Sequence, residues 1–208
     1  MKGYQAYLRD KSFLLSAFFS LCLLLLMLVI NFYAGTYATR EASNPVTDIV
    51  LDNIRVYDVD GVFIYGAFLF WIFIGLVCLH RPQRIPFTLK SISLFILIRS
   101  IFITLTHIGP FPTHTEIASS LISRVSFGGD LFFSGHTGLP FLMALIFWET
   151  PLLHWTFILL SLVFGVVVLL GHLHYSIDVL SAFFITYSIY KISAALFKKD
   201  RAIFLRGL

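Results

Sequence analysis

The chain has 208 residues, 58% hydrophobic and only 12% charged, against roughly 25% charged residues in a soluble domain, which excludes a soluble globular protein. Its formal net charge of +4 does not point to nucleic acid, because the basic residues flank apolar segments and form no aromatic-interleaved patch. Both cysteines, Cys22 and Cys78, fall inside apolar runs, which leaves no disulfide framework and no four-cysteine metal site.

With about 20 apolar residues needed for each helical crossing, the length leaves room for six spans and little else. The expected fold is all-α: a polytopic membrane protein with six transmembrane helices in one bundle. It is read as a single domain over residues 1–208, with a catalytic core over about residues 44–190. The first span, Ser12 to Tyr33, follows Lys2, Arg9 and Lys11. Its apolar run exceeds the 7 to 15 residues of a signal-peptide core and no small-x-small cleavage site follows, so it reads as a retained anchor.

Residues 35–59 are polar, with Asn44-Pro45, Asp48, Asp52 and Asp58, and read as an exposed loop. The second span covers about Gly61 to Leu79 and stops at His80-Arg81-Pro82. A third covers about Phe87 to Ile108 with Arg99 near its middle. Residues 109–130 are less apolar, and Glu116 to Val125 reads as a surface helix. Span four, about Phe132 to Trp148, is short and contains Pro140; span five runs from about Leu153 to Leu170 and span six from Ile177 to Phe197.

Counting Lys and Arg orients these spans. With the amino terminus inside, the inner side collects Lys2, Arg9, Lys11, Arg81, Arg84, Lys90, Lys191, Lys198, Lys199, Arg201 and Arg206, and the outer side only Arg40, Arg55 and Arg124. That bias follows the positive-inside rule. Both termini are therefore expected in the cytoplasm. Asp48, Glu116, Asp130, His136, His174 and Asp178 are expected together at the extracytoplasmic face.

His174 and Asp178 stand four apart where span six begins, so a helix puts them on one face. A carboxylate bonded to one ring nitrogen fixes the tautomer and leaves the other nitrogen nucleophilic. His174 is the expected nucleophile, with phosphorus as its natural electrophile. Ser134-Gly135-His136 opens span four. Glycine permits close backbone approach, and amides at a helix amino terminus favour anions. Ser134 and Gly135 are thus candidates for holding phosphate oxygens, and His136, poised near neutral pH, for protonating a leaving alkoxide.

Arg99 lies mid-span, where a guanidinium is costly and usually faces a polar cavity; it reads either as a phosphate partner or as half of a structural ion pair, with Thr106 on its face. His172 either joins the site or caps span six. His107, His114 and His154 read as interfacial polar residues, and Asp48 and Asp52 as loop solvation or substrate contacts. Asp130 is placed to cap the Ser-Gly-His turn or to support catalysis. A metal centre built from His136, His172, His174 and Asp178 is possible by ligand type but leaves the Ser-Gly-His turn without a role, so neither metal nor cofactor is expected.

Gly129-Asp130-x-x-x-Ser134-Gly135-His136-Thr137 resembles the Cys-Gly-Asp-x-x-x-Ser-Gly-His-Thr motif of sphingomyelin synthases, and His174-Tyr175-Ser176-x-Asp178-Val179 resembles their His-Tyr-Thr-x-Asp-Val motif. Pro45-x-x-Asp48-x-x-x-Asp52 and Arg99 with Thr106 look like that family's two upstream motifs in the same order. Gly128 stands where the family has cysteine, and Ser176 replaces threonine.

The resemblance implies a six-span fold of the type 2 phosphatidic acid phosphatase superfamily, in which a phosphobase headgroup moves from a glycerophospholipid to ceramide. It also implies His174 as nucleophile, Asp178 as its partner, His136 as the acid, and an upstream acidic residue that Glu116 would supply. The expected partners are phospholipid and lipid-alcohol substrates in a membrane bilayer, with no nucleic acid; a homo-oligomer is compatible with this reading. The alternative is a lipid phosphate phosphatase or phospholipase C-type hydrolase with water as acceptor. The Lys-x6-Arg-Pro element of ordinary superfamily phosphatases is absent, since Lys90 and Arg99 are wrongly spaced for it. A non-enzymatic membrane scaffold is a further reading, favoured only if the catalytic positions lie against aliphatic side chains.

Overall fold

The computed structural model describes residues 2–113 and 131–207. It is all-helical, 78% helix, without strands among the described residues. Helix α1 (Lys2–Arg9) is short and amphipathic, and Asp10 ends it and caps the next helix by accepting from the Phe13 amide at 2.7 Å. Helix α2 (Lys11–Arg40) continues well past the expected end of the first span. Its last turns are held partly by Thr36 and Thr39, whose hydroxyls donate back to Phe32 O and Gly35 O, each at 2.8 Å. At about 1.5 Å per residue it exceeds the thickness of a hydrocarbon core.

Helices α3 (Asp60–His80), α4 (Ile85–Leu105), α6 (Pro151–Leu170) and α7 (Ser176–Leu196) are also long and apolar enough to cross a membrane, which with α2 makes five among the described residues. The expected fourth span differs. It forms α5 (Gly135–Ile146), a 12-residue helix, about 18 Å long at 1.5 Å per residue and well short of the roughly 30 Å core. The cap at Ser134 starts it late, and residues 147–150 turn before α6 begins at Pro151. Pro140, inside α5, also removes the amide that would have bonded the His136 carbonyl. The half-length helix is buried between α6 and α7, with Leu142, Met143 and Ala144 at zero exposure.

Helix α2 packs along α4, and a core containing Phe70, Phe95, Phe133, Phe147, Phe157 and Phe164 fills the middle of the bundle. Two ends result. At one, α8 (Lys198–Arg206) meets α2 and α4 through a partly buried cluster: Lys90 Nζ lies 2.7 Å from Asp200 Oδ2 and donates to Ser16 Oγ at 2.8 Å, and Ser16 Oγ donates to Asp200 Oδ1 at 2.5 Å. The Arg84 guanidinium at this end donates to Val77 O at 3.1 Å and lies 5.2 Å from the Phe147 ring centroid.

At the other end three loops converge. Ser43 N donates to His107 O at 2.7 Å, Gly109 N to Asn44 O at 3.4 Å, and Tyr57 N to Leu170 O at 2.8 Å. Gly109 must be glycine, since a Cβ there would stand 2.1 Å from Ser43 O. The candidate site lies at this loop end.

Candidate active site

Helix α7 begins at a cap made by its own first residues. The Tyr175 amide donates to Asp178 Oδ2 at 2.9 Å, and this carboxylate, in the first turn, also suits the positive end of the helix dipole. The same oxygen faces His174 Nδ1 at 3.4 Å. That is long for a hydrogen bond, as catalytic pairs often are before substrate binds. Asp178 has zero exposure and His174 6%. Asp178 Oδ1 has no hydrogen-bond partner among the described residues.

Ser134 caps α5: its Oγ accepts from the Thr137 amide at 3.4 Å and from Thr137 Oγ1 at 3.2 Å. A hydroxyl that accepts twice still has its own proton to donate. The first-turn amides of Gly135 and His136 have no intrahelical carbonyl within reach, so this turn presents donors suited to an anion. The turn is tied to the start of α7 through the main chain, where Ser134 N donates to Asp178 O at 3.2 Å. On the α6 side, Ser161 Oγ donates to Thr137 O at 2.7 Å.

His136 is half-buried and stacks on Phe63 of α3, with ring centroids 4.0 Å apart and planes inclined by 25°. Phe164 of α6 meets it edge-on at 5.9 Å. Burial lowers the His136 pKa to about 3, with the positive charges of His174 and Arg99 pushing the same way, so the imidazole is held neutral here rather than poised near neutral pH as its residue type suggested. Arg99 comes from α4, is 9% exposed, and donates from Nε to Phe133 O at 2.9 Å, directly before the Ser134 cap. A Cβ on Gly135 would lie 3.3 Å from Arg99 Nε and 3.6 Å from Cζ, so glycine lets the guanidinium lie against the turn.

The structure therefore brings His136, His174, Asp178, Ser134, Gly135 and Arg99 to one end of the bundle. Thr106, expected beside Arg99, does not join them; it ends α4, and its hydroxyl donates back to Phe102 O at 2.7 Å. Glu116, Asp130 and the expected surface helix from Glu116 to Val125, with His114, lie outside the described residues.

Asp48 takes a position unlike that of a substrate contact. Its Oδ1 accepts from the Val50 and Leu51 amides at 2.9 and 3.2 Å, and its Oδ2 from the Ser176 amide at 2.7 Å. Burial pushes its pKa up, but the Ser176, Leu51 and Val50 bonds together outweigh this and hold the carboxyl below its usual range. Asp52 supports it by accepting from the Asp48 amide at 3.1 Å. The pair fastens the 41–59 loop to the first turn of α7.

His172 is 3% exposed, with a positive φ of 53°. Its Nδ1 lies 2.6 Å from Thr113 Oγ1, and its Nε2 has no partner among the described residues. His107 and His154 are structural, bonded to Thr104 O and Ala144 O, each at 2.9 Å. The described residues contain no group of three or more His, Cys, Asp or Glu side chains able to hold a metal ion.

Sequence reasoning passed over Tyr175 and Phe63. Tyr175, 1% exposed, donates from its hydroxyl to Gly109 O at 2.8 Å and accepts from Val46 N at 3.2 Å, joining three loops beneath the site. Burial raises its phenol pKa, and the nearby Asp178 and Asp48 charges push the same way against the Val46 bond. Its place inside the His-Tyr-Ser-x-Asp string was the available signal. For Phe63 there was none, because it reaches His136 only through the packing of α3.

Together these features define a helical membrane protein with a histidine, carboxylate and anion-turn site at one end of its bundle. Residues 128–195, which contain His136, His174, α5, α6 and nearly all of α7, match the family model described as PAP2 superfamily C-terminal. The match supports the type 2 phosphatidic acid phosphatase superfamily, and with it lipid phosphatase or phosphotransferase chemistry. No curated protein and no solved structure matches the chain.

Proposed function

We propose that the protein is a membrane lipid phosphotransferase of sphingomyelin synthase-like type, moving a phosphobase headgroup from a glycerophospholipid to ceramide or a similar lipid alcohol. One observation carries this reading: His174 faces the buried Asp178 across 3.4 Å while the Ser-Gly-His turn bearing His136 is bonded to the same Asp178 backbone.

With Nδ1 turned to the carboxylate, His174 Nε2 attacks phosphorus, a N–P bond forms, and the P–O bond to diacylglycerol breaks. The negative charge of the bound phosphate favours the protonated form of His136, which gives its proton to that oxygen, and neutral diacylglycerol leaves. The alcohol of the second lipid then attacks phosphorus and its proton passes to His136; the N–P bond breaks and His174 is regenerated. Arg99, Ser134 and the Gly135 and His136 amides stabilise charge on the phosphoryl oxygens. Lipid-exposed flanks and aromatic walls support transfer over hydrolysis, since a water-poor site protects the intermediate.

The distribution of basic residues supports an extracytoplasmic site, with Lys90, Lys198, Lys199, Arg201 and Arg206 at the opposite end of the bundle. Purified protein given headgroup-labelled phosphatidylcholine or phosphatidylethanolamine, with and without ceramide, tests the proposal. Label on ceramide is the expected result. Label released only as free phosphobase or its phosphate would instead assign a hydrolase using the same residues.

A further inference from the structure

Phe63 belongs to α3, a helix whose neighbouring side chains turn to lipid, with Val62 51% and Tyr65 68% exposed. Phe63 itself is half-buried, and its ring lies nearly parallel to His136 at 4.0 Å. Three contacts with α6 and its carboxyl end put it there. Tyr57 N bonds Leu170 O at 2.8 Å just before α3, and Val59 packs on Gly171, where a Cβ would come within 2.4 Å of Val59 Cγ2. One turn beyond Phe63, Gly66 admits Phe164, whose Cε1 would stand 3.1 Å from a Cβ there. Phe164 in turn presents its ring to His136 at an interplanar angle of 61°.

We propose that Phe63, with Phe164 edge-on to the same imidazole, is a positioning residue for the acid of the reaction: the stacked Phe63 ring covers one face of His136 and fixes the plane in which its nitrogens lie. The inference rests on the function proposed above for its kinetic consequence, though the ring cover itself does not. An imidazole donates its proton in its own plane, so fixing that plane fixes the direction from which the leaving oxygen must come. Misplacement of a catalytic group by about 1 Å can cost about 100-fold in rate. Covering one ring face also keeps water from the acid during the lifetime of the intermediate.

The test uses the full chain in detergent, comparing the wild type with Phe63→Leu, Phe63→Tyr and Gly66→Ala. Diethyl pyrocarbonate modification of His136, followed by peptide mass spectrometry, reads ring cover without turnover, and the buried His154 serves as an internal control. Modification is expected to be several-fold faster in Phe63→Leu and in Gly66→Ala, with Phe63→Tyr close to wild type. An unchanged rate in both of the first two variants overturns the ring cover. Where Phe63→Leu does not fold, Gly66→Ala decides alone.

In the lipid assay, kcat of folded Phe63→Leu is expected to fall about 10- to 100-fold with KM within about 2-fold, and Phe63→Tyr to recover most of it. A merely structural role would lower the folded yield and leave kcat per folded molecule intact, and that result overturns the positioning role. Absence of any headgroup turnover by the wild type would sink the proposed function, while the modification rates would still decide the ring cover.

Discussion

The amide of Ser134 donates to the carbonyl of Asp178 at 3.2 Å, so the Ser-Gly-His turn and the carboxylate facing His174 are fastened through the main chain. Exchanging the Asp178 side chain should therefore leave this tie in place. Asp178→Asn retains an oxygen for the Tyr175 amide but loses the charge that orients His174. Its kcat is expected to fall by about 10²- to 10⁴-fold with a nearly unchanged melting temperature, the pattern of lost tautomer control. Activity within about 3-fold of wild type would remove Asp178 from the site.

Asp48 gives a prediction about pH. Its carboxyl is held below the usual range by amides of the folded state, so the folded protein binds this proton less readily than the unfolded chain. Its stabilisation is fully present above the unfolded value of about 3.9 and fades as pH falls through the lower folded value. Asp48→Ala should cost about 1.5–3 kcal/mol at neutral pH, the range for bonds to a charged acceptor, and flatten the acid limb of stability. Thermal unfolding in detergent between about pH 3 and 7 measures both.

Gly135 tests how closely Arg99 must approach the turn. In Gly135→Ala the new methyl meets Arg99 Nε at 3.3 Å, so the guanidinium must shift by a few tenths of an ångström. The fold should survive, and kcat/KM should drop about 10-fold, in keeping with the sensitivity of positioned groups. Unchanged kinetics would show that the close approach of Arg99 to the turn does not matter to turnover.

Much of the site was legible because its chemistry is local in sequence. His174 and Asp178 are one helical turn apart, Ser134 is a cap three residues before Thr137, and both strings can be read without the fold. The length of α5 was not legible. Apolarity extends beyond it on both sides, and only the cap at Ser134 and the turn over residues 147–150 cut it to 12 residues. Asp48 was legible as a turn former but not as the partner of Ser176, because that bond joins segments far apart in the chain. Phe63 was invisible for the same reason, since nothing in α3 distinguishes it from its lipid-facing neighbours. The missed features are long-range, and hydropathy carries no register between spans.

In the proposed reaction His174 carries the headgroup between two lipids while His136 moves the proton. The most direct measurement is to quench the purified protein during turnover on phosphatidylcholine without ceramide, then search for an acid-labile phosphoramidate by mass spectrometry. The expected result is a phosphobase adduct on His174, lost on adding ceramide and absent from His174→Ala, which should also be inactive. Turnover retained in His174→Ala, or an adduct at any other residue, would contradict it.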